Sequence, residues 1–302
     1  MLDVHRIRAL TIDPHAHPRG LPHLSAASGL VCAHQRVYVV ADDEHHLAVF
    51  CDAASPGELH RVFAGDLPAR KPVRKRLKPD LEALFLLPAG RARAGAALVT
   101  LGSGSRPNRD TGVVVPLATD GQPLSEAARH FSLKPLYDAL REVLGPVNIE
   151  GAMVLGDELV LLNRGVAGGC GNLAAHYPLN DLVQLIDGKG RGARLVAIRR
   201  HDLGTIDDVA LGFTDCVALP DGGWVFSAVA EDTADSYADG HCLGSAIGVV
   251  NACGDVVTLH RLASPAKVEG IAVQAGAGGM TVCMVTDADD PAQSAWLLWA
   301  RL

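Results

Sequence analysis

Short apolar segments separated by turns repeat along this chain, and each repeat opens in the same way. A polar residue stands at the start of one apolar segment, a turn follows, and a second apolar segment ends in a polar cluster. The stretch VNIEGAMVLGDELVLLNRG at 147–165 shows this pattern, with Glu150 at its start and Asn163-Arg164 at its end. The length and apolar character of these segments favour β-strands joined by tight hairpins.

The same cassette occurs five times along the chain. Its opening polar residues are Ser28, Glu82, Glu150, Asp215 and Glu269, which recur every 54 to 68 residues. Most intervals hold four strand-like segments, and such a period is typical of a β-propeller. We therefore predict an all-β fold, a five-bladed β-propeller that forms a single domain over residues 1–302. Six blades are the alternative.

The fifth repeat, within 269–302, is one strand short. We predict that an N-terminal strand near residues 5–13 completes this blade and closes the ring, which leaves no free sheet edge. A different pattern occurs at 135–145, where leucines recur at helical spacing between Pro135 and Gly145. This pattern predicts one short helix inserted after the second blade.

The opening residues of the cassettes are expected to meet at one end of the central channel, because the innermost strand of every blade lines that channel. The loops after the second strands open on the same face and bring further polar side chains. The resulting candidate ligand-binding residues are Ser28, Asp42, Ser103, Arg106, Asn108, Arg164, Glu231 and Asp287.

Four carboxylates around one narrow mouth, those of Glu82, Glu150, Asp215 and Glu269, repel one another. At an effective dielectric constant of about 20, two charges 4 Å apart cost roughly 4 kcal/mol. A bound cation, raised pKa values or nearby basic side chains can offset this cost. Oxygen ligands suit Ca²⁺ or another hard divalent cation. The other interpretation is that these acids accept hydrogen bonds from backbone N–H groups of the neighbouring blade and hold the ring together.

The net charge of −7 argues against a non-specific nucleic-acid partner. The first 20 residues lack the apolar region of a signal peptide, and no apolar run is long enough for a membrane span. The seven cysteines form no CxxC pair and are expected to be reduced. These features predict a cytoplasmic protein with no membrane partner.

Two further segments have candidate chemistry but are expected to be solvated. The histidines of HAH at 15–17 and EHH at 44–46 lack a third ligand at a convincing spacing for a metal. The basic run ARKPVRKRLKP at 69–79 is interpreted as an exposed loop before the second blade.

The segments DLEAL, NIEGA and KVEGI, with SGL in the first repeat, resemble the bacterial propellers grouped as SdiA-regulated and esterase-like phytase proteins. The resemblance implies a calcium-type site on the channel face and, in some members, phosphoester hydrolysis. The first repeat departs from the pattern with Ser28, and the fourth has Asp215-Cys216 in place of Glu-Gly. The metal ligands that the resemblance implies are Glu82, Glu150, Asp215 and Glu269, with Asn163 as an amide ligand.

Two functions are consistent with the sequence. The first is metal-assisted hydrolysis of a small-molecule ester, lactone or phosphoester. The second is a non-catalytic propeller that binds a small ligand or a protein on its loop face.

Overall fold

The protein is a five-bladed β-propeller in a computed structural model, which describes residues 1–91, 95–165, 171–232, 240–276 and 279–302. The innermost strand of each blade contacts the innermost strands of the two neighbouring blades, and this order returns from the last blade to the first. The prediction of five blades is confirmed, and the six-bladed alternative is wrong.

Each of the first three blades is a four-stranded antiparallel sheet whose strands follow one another along the chain. The first blade consists of β2 (Ala27–Ala33), β3 (Arg36–Ala41), β4 (His46–Phe50) and β5 (Glu58–Arg61). The second consists of β6 (Leu81–Leu87), β7 (Ala97–Gly102), β8 (Thr111–Pro116) and β9 (Arg129–Ser132). The third consists of β10 (Ile149–Leu155), β11 (Glu158–Asn163), β12 (Asn172–Pro178) and β13 (Ala197–His201).

The last two blades differ from this plan. The fourth has a short extra strand and consists of β14 (Thr205–Ile206), β15 (Val209–Ala218), β16 (Trp224–Asp232), β17 (His241–Val250) and β18 (Val256–Arg261). The fifth consists of β19 (Lys267–Gly276), β20 (Gly279–Asp287), β21 (Trp296–Arg301) and the N-terminal strand β1 (His5–Ala9).

The ring is closed by β1, which pairs antiparallel with β21. His5 lies opposite Trp299, and Ala9 lies opposite Trp296. The N-terminal segment therefore supplies the outer strand that the fifth repeat lacks, as predicted.

Within the described ranges, three helices interrupt the blades. Helix α2 (Lys134–Leu144) confirms the predicted insertion, and its buried Tyr137 donates a 2.6 Å hydrogen bond to the carbonyl oxygen of Gly102. Helices α1 (Lys71–Leu77) and α3 (Leu179–Ile186) were not predicted. Short 3₁₀ turns occur at Pro107–Arg109 and Ser125–Ala127. None of the helices in the described ranges is long and apolar enough to cross a membrane.

The apolar core is divided among the five junctions between neighbouring blades. Each junction holds its own cluster of buried Val, Leu, Ile, Ala and aromatic side chains, and the largest cluster, between the second and third blades, includes residues of α2 and α3. Fully burying one large apolar side chain contributes about 1.5–3 kcal/mol. Stability therefore depends on all five junctions, so a break at any one of them weakens the ring.

The six cysteines that the structure describes are free thiols, as expected for reduced residues, whereas Cys170 lies outside the described residues. The cytoplasmic location stays a prediction.

Candidate functional site at the channel mouth

A β-bulge interrupts every innermost strand at the same point. In the first blade Ala27 pairs with Ala41 and Gly29 pairs with Val40, which leaves Ser28 outside the ladder. The residues skipped in the same way are Ser28, Glu82, Glu150, Thr214 and Glu269. A bulge residue has no cross-strand partner, so its side chain is released from the alternation of the sheet.

The fourth repeat therefore aligns one residue earlier than predicted, because the equivalent of the glutamates is Thr214. Asp215 occupies the next position, which is Gly or Ala in the other blades. Its Oδ2 accepts the backbone N–H of Ile271 in the fifth blade at 2.8 Å, and its Oδ1 accepts the N–H of Cys216 at 2.7 Å. Asp215 thus makes the inter-blade contact that the sequence left open as an alternative to metal binding.

One group of ion pairs lies on the side of the mouth formed by the first two blades. Lys78 pairs with Asp42 and, at 2.8 Å, with Asp80 Oδ1. Arg109 Nη1 lies 2.6 Å from Asp80 Oδ2, and Ser103 Oγ donates a hydrogen bond to the same carboxylate. Asp80 and Lys78 were not predicted as site residues.

A second group of ion pairs joins the third, fourth and fifth blades. Arg164 lies 3.4 Å from Glu150 Oε2 and 3.3 Å from Glu231 Oε2. Lys267 Nζ lies 3.4 Å from Glu231 Oε1 and 3.2 Å from Glu269 Oε1. Glu231 therefore links the two basic residues.

The basic run at 69–79 is not the solvated loop that was expected. It folds into α1, and both Arg74 and Lys78 are buried. Arg74 Nε donates to Asp43 Oδ2 at 2.9 Å, while Lys78 reaches Asp42. Asp42 and Asp43, which follow β3, therefore hold this basic segment at the channel mouth through ion pairs.

Glu82 is the exception among the bulge glutamates, because no ion pair or hydrogen bond to its carboxylate is present within the described part of the chain. Burial raises its pKa well above the ordinary value, and the nearby charges of Asp80, Glu150 and Asp42 raise it further. One oxygen each from Asp42, Asp80 and Glu82 lies within 4.8 Å of the other two. Among the described residues, this triad is the one group of three such side chains close enough together to hold a metal ion.

Other predicted site residues lie close by but are engaged in local bonds. Asn163 Oδ1 accepts the backbone N–H of Asn148 at 2.8 Å. Asn108 is exposed, and its Nδ2 donates to the carbonyl oxygen of Lys78 at 3.2 Å. Asp287 Oδ1 accepts the N–H of Asp289 at 2.7 Å, and Ser28 Oγ donates to a backbone carbonyl two residues earlier. Arg106 precedes the 3₁₀ turn of the second blade and is half-buried.

A cavity of about 50 Å³ adjoins the triad, and Asp42 lines both. Helix α1 and Lys78 form one wall, and Asp287 at the end of β20, with Asp289 and Pro291 in the loop after it, forms another. A small molecule in this cavity would contact Asp42, one of the three acids.

The histidines near the first blade were expected to be solvated, but two of them are not. His17 and His46 are buried, and His17 Nε2 lies 3.0 Å from Glu44 Oε1. Arg19 pairs with both Asp43 and Glu44. These histidines therefore belong to an internal ion-pair cluster of the first blade.

The pKa of Glu150 predicts a dependence of stability on pH. Burial, with the charges of Glu269 and Asp80, raises this pKa to about 7 although Arg164 opposes the shift. The folded state then holds a proton that the unfolded chain loses near pH 4.5, so stability falls as pH rises from about 4.5 to about 7. This group alone accounts for about 3 kcal/mol.

Unfolding free energies measured across this pH range in the presence of a chelator test the prediction. Glu150→Gln should lack this part of the pH dependence, whereas Glu126→Gln, at an exposed position in a 3₁₀ turn, should follow the parent. Equal slopes for the parent and Glu150→Gln would show that Glu150 is ionised throughout.

The comparisons with known proteins identify a family and the fold. A family model described as "Family of unknown function (DUF6929)" matches residues 23–302, and it is not one of the two groups that the cassettes resemble. No curated protein matches the chain.

Several solved structures are similar to this chain. An endo-arabinase from Bacteroides thetaiotaomicron is 11% identical over 98% of both chains, with a TM-score of 0.51. A calcium-binding protein, regucalcin, from Agrobacterium tumefaciens is 12% identical over 92% of this chain and 90% of its own, with a TM-score of 0.44. A gluconolactonase from Xanthomonas campestris is 12% identical over 91% of this chain and 72% of its own, with a TM-score of 0.40. Of these three, the endo-arabinase has the TM-score above 0.5, and at 11% identity its likeness to this chain is one of fold alone.

Proposed function

We propose that this chain, which belongs to the DUF6929 family of unknown function, binds a divalent cation such as Ca²⁺ at the channel mouth and hydrolyses a small ester or lactone there. The observation that carries the proposal is the convergence of Asp42, Asp80 and Glu82, whose oxygens lie within 4.8 Å of one another. Two of these residues come from the start of one innermost strand and the third from the neighbouring blade, so the fold itself brings them together.

The triad suits a hard cation in both chemistry and size. Calcium binds oxygen ligands at about 2.3–2.6 Å, so two ligands of one ion can be at most about 5 Å apart. Three protein ligands are fewer than the six to eight that calcium takes, and the remaining positions are left for water and substrate. Asp215 and Asn163 are outside the proposed ligand set because their side-chain oxygens already accept backbone N–H groups.

Lys78 is the internal competitor of the proposed cation. Its ammonium group pairs with Asp42 and Asp80, two of the three ligands. Glu82 has no such partner among the described residues, and its raised pKa reports a position that favours a positive charge or a proton. A divalent cation would therefore bind by exchange with Lys78 and with the proton of Glu82.

Glu150 is proposed as the general base. Its carboxylate lies in the same mouth, and its pKa of about 7 allows it both to accept and to release a proton near neutral pH. Arg164, 3.4 Å from Glu150 Oε2, orients the carboxylate and keeps the pKa from rising further. A divalent cation held by Asp42, Asp80 and Glu82 would supply Lewis-acid polarisation of a substrate carbonyl.

The charge of the mouth favours a neutral substrate over a phosphoester. The two groups of ion pairs, together with Glu82 and Asp287, comprise eight acids and four basic side chains, namely Asp42, Asp80, Glu82, Glu150, Glu231, Glu269, Asp287 and Asp289 against Lys78, Arg109, Arg164 and Lys267. This excess of acids disfavours an anionic substrate as long as no cation is bound.

Calcium titrations that follow thermal unfolding test the cation site. At a calcium concentration of 100 times the dissociation constant, the parent protein should gain about 2.7 kcal/mol. Glu82→Gln should lose most of this gain, and the exposed control Glu126→Gln should retain it. A parent protein that is indifferent to calcium, magnesium, manganese and chelator would end the proposal of a metal site.

A panel of esters and lactones then separates binding from catalysis. Glu150→Gln should still bind calcium but should hydrolyse the substrate of the parent at least 100-fold more slowly, in line with the usual contribution of a general base. If the parent binds calcium and hydrolyses nothing on the panel, the second function is supported instead. That function is a non-catalytic propeller that binds a small ligand or a protein, and the extensive ion pairing of the mouth is consistent with it.

A further inference from the structure

The junction between the last and first blades is the place where the ring closes, and its two sides approach closely. Strand β20 of the last blade lies beside β2 of the first, and Ala26 forms a β-bridge with Asp287 above them. A side chain at Gly270 would lie only 2.7 Å from the carbonyl oxygen of Ser28. The inner strands of the two blades are therefore closely packed against each other.

Two cysteines meet in this junction. Cys283 on β20 is buried in the apolar cluster shared by the last and first blades, and Cys32 on β2 packs against the same cluster. The two side chains face the same cluster from opposite blades. Cys32 is half-buried, which gives a small reagent a route to the pair.

We propose that Cys32 and Cys283 form a reversible disulfide that covalently joins the first blade to the last. Such a bond would add a covalent link to a junction that is otherwise held by the pairing of β1 and by apolar packing. No other function of the protein is needed for this inference, because it rests on the position of the two thiols.

The oxidant that fits this chemistry is a low-molecular-weight disulfide. Cys32 is the more accessible of the two thiols, so it meets the oxidant first. The Cys32 thiolate attacks one sulfur of the oxidant, and a first small thiol leaves. Cys283 then gives up its proton and attacks the sulfur of Cys32, and the second small thiol leaves. Two electrons pass from the protein to the oxidant, which is reduced to two thiols.

The consequence would be a more stable ring. The disulfide would link residues that are far apart in sequence, and cross-links over long loops restrict the unfolded chain most strongly. Cys283 precedes Asp287 by four residues, and Cys32 follows Ser28 by four residues. The new bond would therefore stiffen the two strands that carry this side of the channel mouth.

Oxidised glutathione added to the purified full chain tests the proposal. Two free thiols should be lost, the intact mass should fall by two hydrogens, and peptide mapping should find Cys32 linked to Cys283. The melting temperature should rise by several degrees, and dithiothreitol should reverse all of these changes. The mapping requires only the parent protein, so it does not depend on the folding of a variant.

Three variants provide the controls. Cys32→Ser and Cys283→Ser should each remove the cross-link, and the remaining thiol should carry at most a glutathione adduct. Cys216→Ser changes a buried cysteine beside Asp215 in the fourth blade and should leave the cross-link intact. A glutathione adduct on the parent that is never resolved, or a link that maps to any other cysteine, including Cys170, would overturn the proposal.

Discussion

Removal of residues 1–13 should destroy most of the stability of the propeller. The deletion takes away β1, which pairs with β21 over His5–Ala9, and it also removes Leu10 and Ile12, which are buried between the first and last blades. Domains of this kind are stable by only about 5–15 kcal/mol, and we expect a large share of that to be lost. Chemical denaturation of the truncated and parent proteins measures the difference.

A matched pair of substitutions in the same segment distinguishes lost packing from a general effect of changing the N-terminus. Leu10→Asp places a charge at a fully buried position, whereas Ile7→Asp alters an exposed position of β1. We expect the first to be severely destabilising and the second to be mild. A synthetic peptide of residues 1–13 should also restore the truncated protein by adding the missing strand. Unchanged melting after the truncation would contradict closure by β1.

Replacing Asp215 with alanine should cost about 2–4 kcal/mol in the free energy of unfolding. The substitution leaves the buried N–H groups of Ile271 and Cys216 without acceptors, and each such loss costs about 1–3 kcal/mol. Burial raises the pKa of Asp215 well above its ordinary value, so removal of this carboxyl group also relieves a desolvation cost, which offsets part of the loss.

Asp221→Ala is the control for this prediction. Asp221 lies in the same blade and accepts one backbone N–H, that of Gly223, but within a turn and not across a junction. We expect a loss below about 1 kcal/mol for this variant. Equal losses for the two variants would mean that Asp215 does not hold the fourth and fifth blades together. Calcium should stabilise Asp215→Ala as much as the parent.

The blade count and the closing strand could be predicted because the propeller repeats one local pattern. Each repeat must bury the inner face of its sheet against a neighbour, so the apolar segments and turns recur at a regular interval. The insertion at α2 was equally visible, since Leu136 and Leu140 follow helical spacing and are fully buried.

The residues of the candidate site were harder to predict because their positions depend on contacts between repeats. The repeat pattern indicates that Glu82 opens a strand, but only the fold shows that Asp80, two residues earlier, turns toward Asp42 of the preceding blade. The backbone of Asp80 has a φ of +57°, a left-handed conformation that is uncommon outside glycine. The sequence holds one indication of this conformation, because Asp80 is a short polar residue between a proline and the start of β6.

The burial of charged side chains was the property least predictable from neighbouring residues in the sequence. Lys78 belongs to a run of basic residues that would be solvated by composition alone, yet it is buried because two carboxylates of different blades converge on it. The misalignment of the fourth repeat has a similar origin, since both Thr214 and Asp215 are polar. Only the strand register distinguishes the residue that lies outside the ladder from the one that pairs.

At the five bulges, the residue that presents a polar side chain at the channel mouth is not one of the residues that pair with the neighbouring strand. A residue within the ladder is constrained by its cross-strand partner, whereas a residue at a bulge has no partner in the ladder. Serine, threonine and glutamate all occur at this one position without any change in the surrounding strand pairing. The same local backbone therefore carries five equivalent positions around the channel, and each can hold a different polar side chain without a change in the blade that supports it.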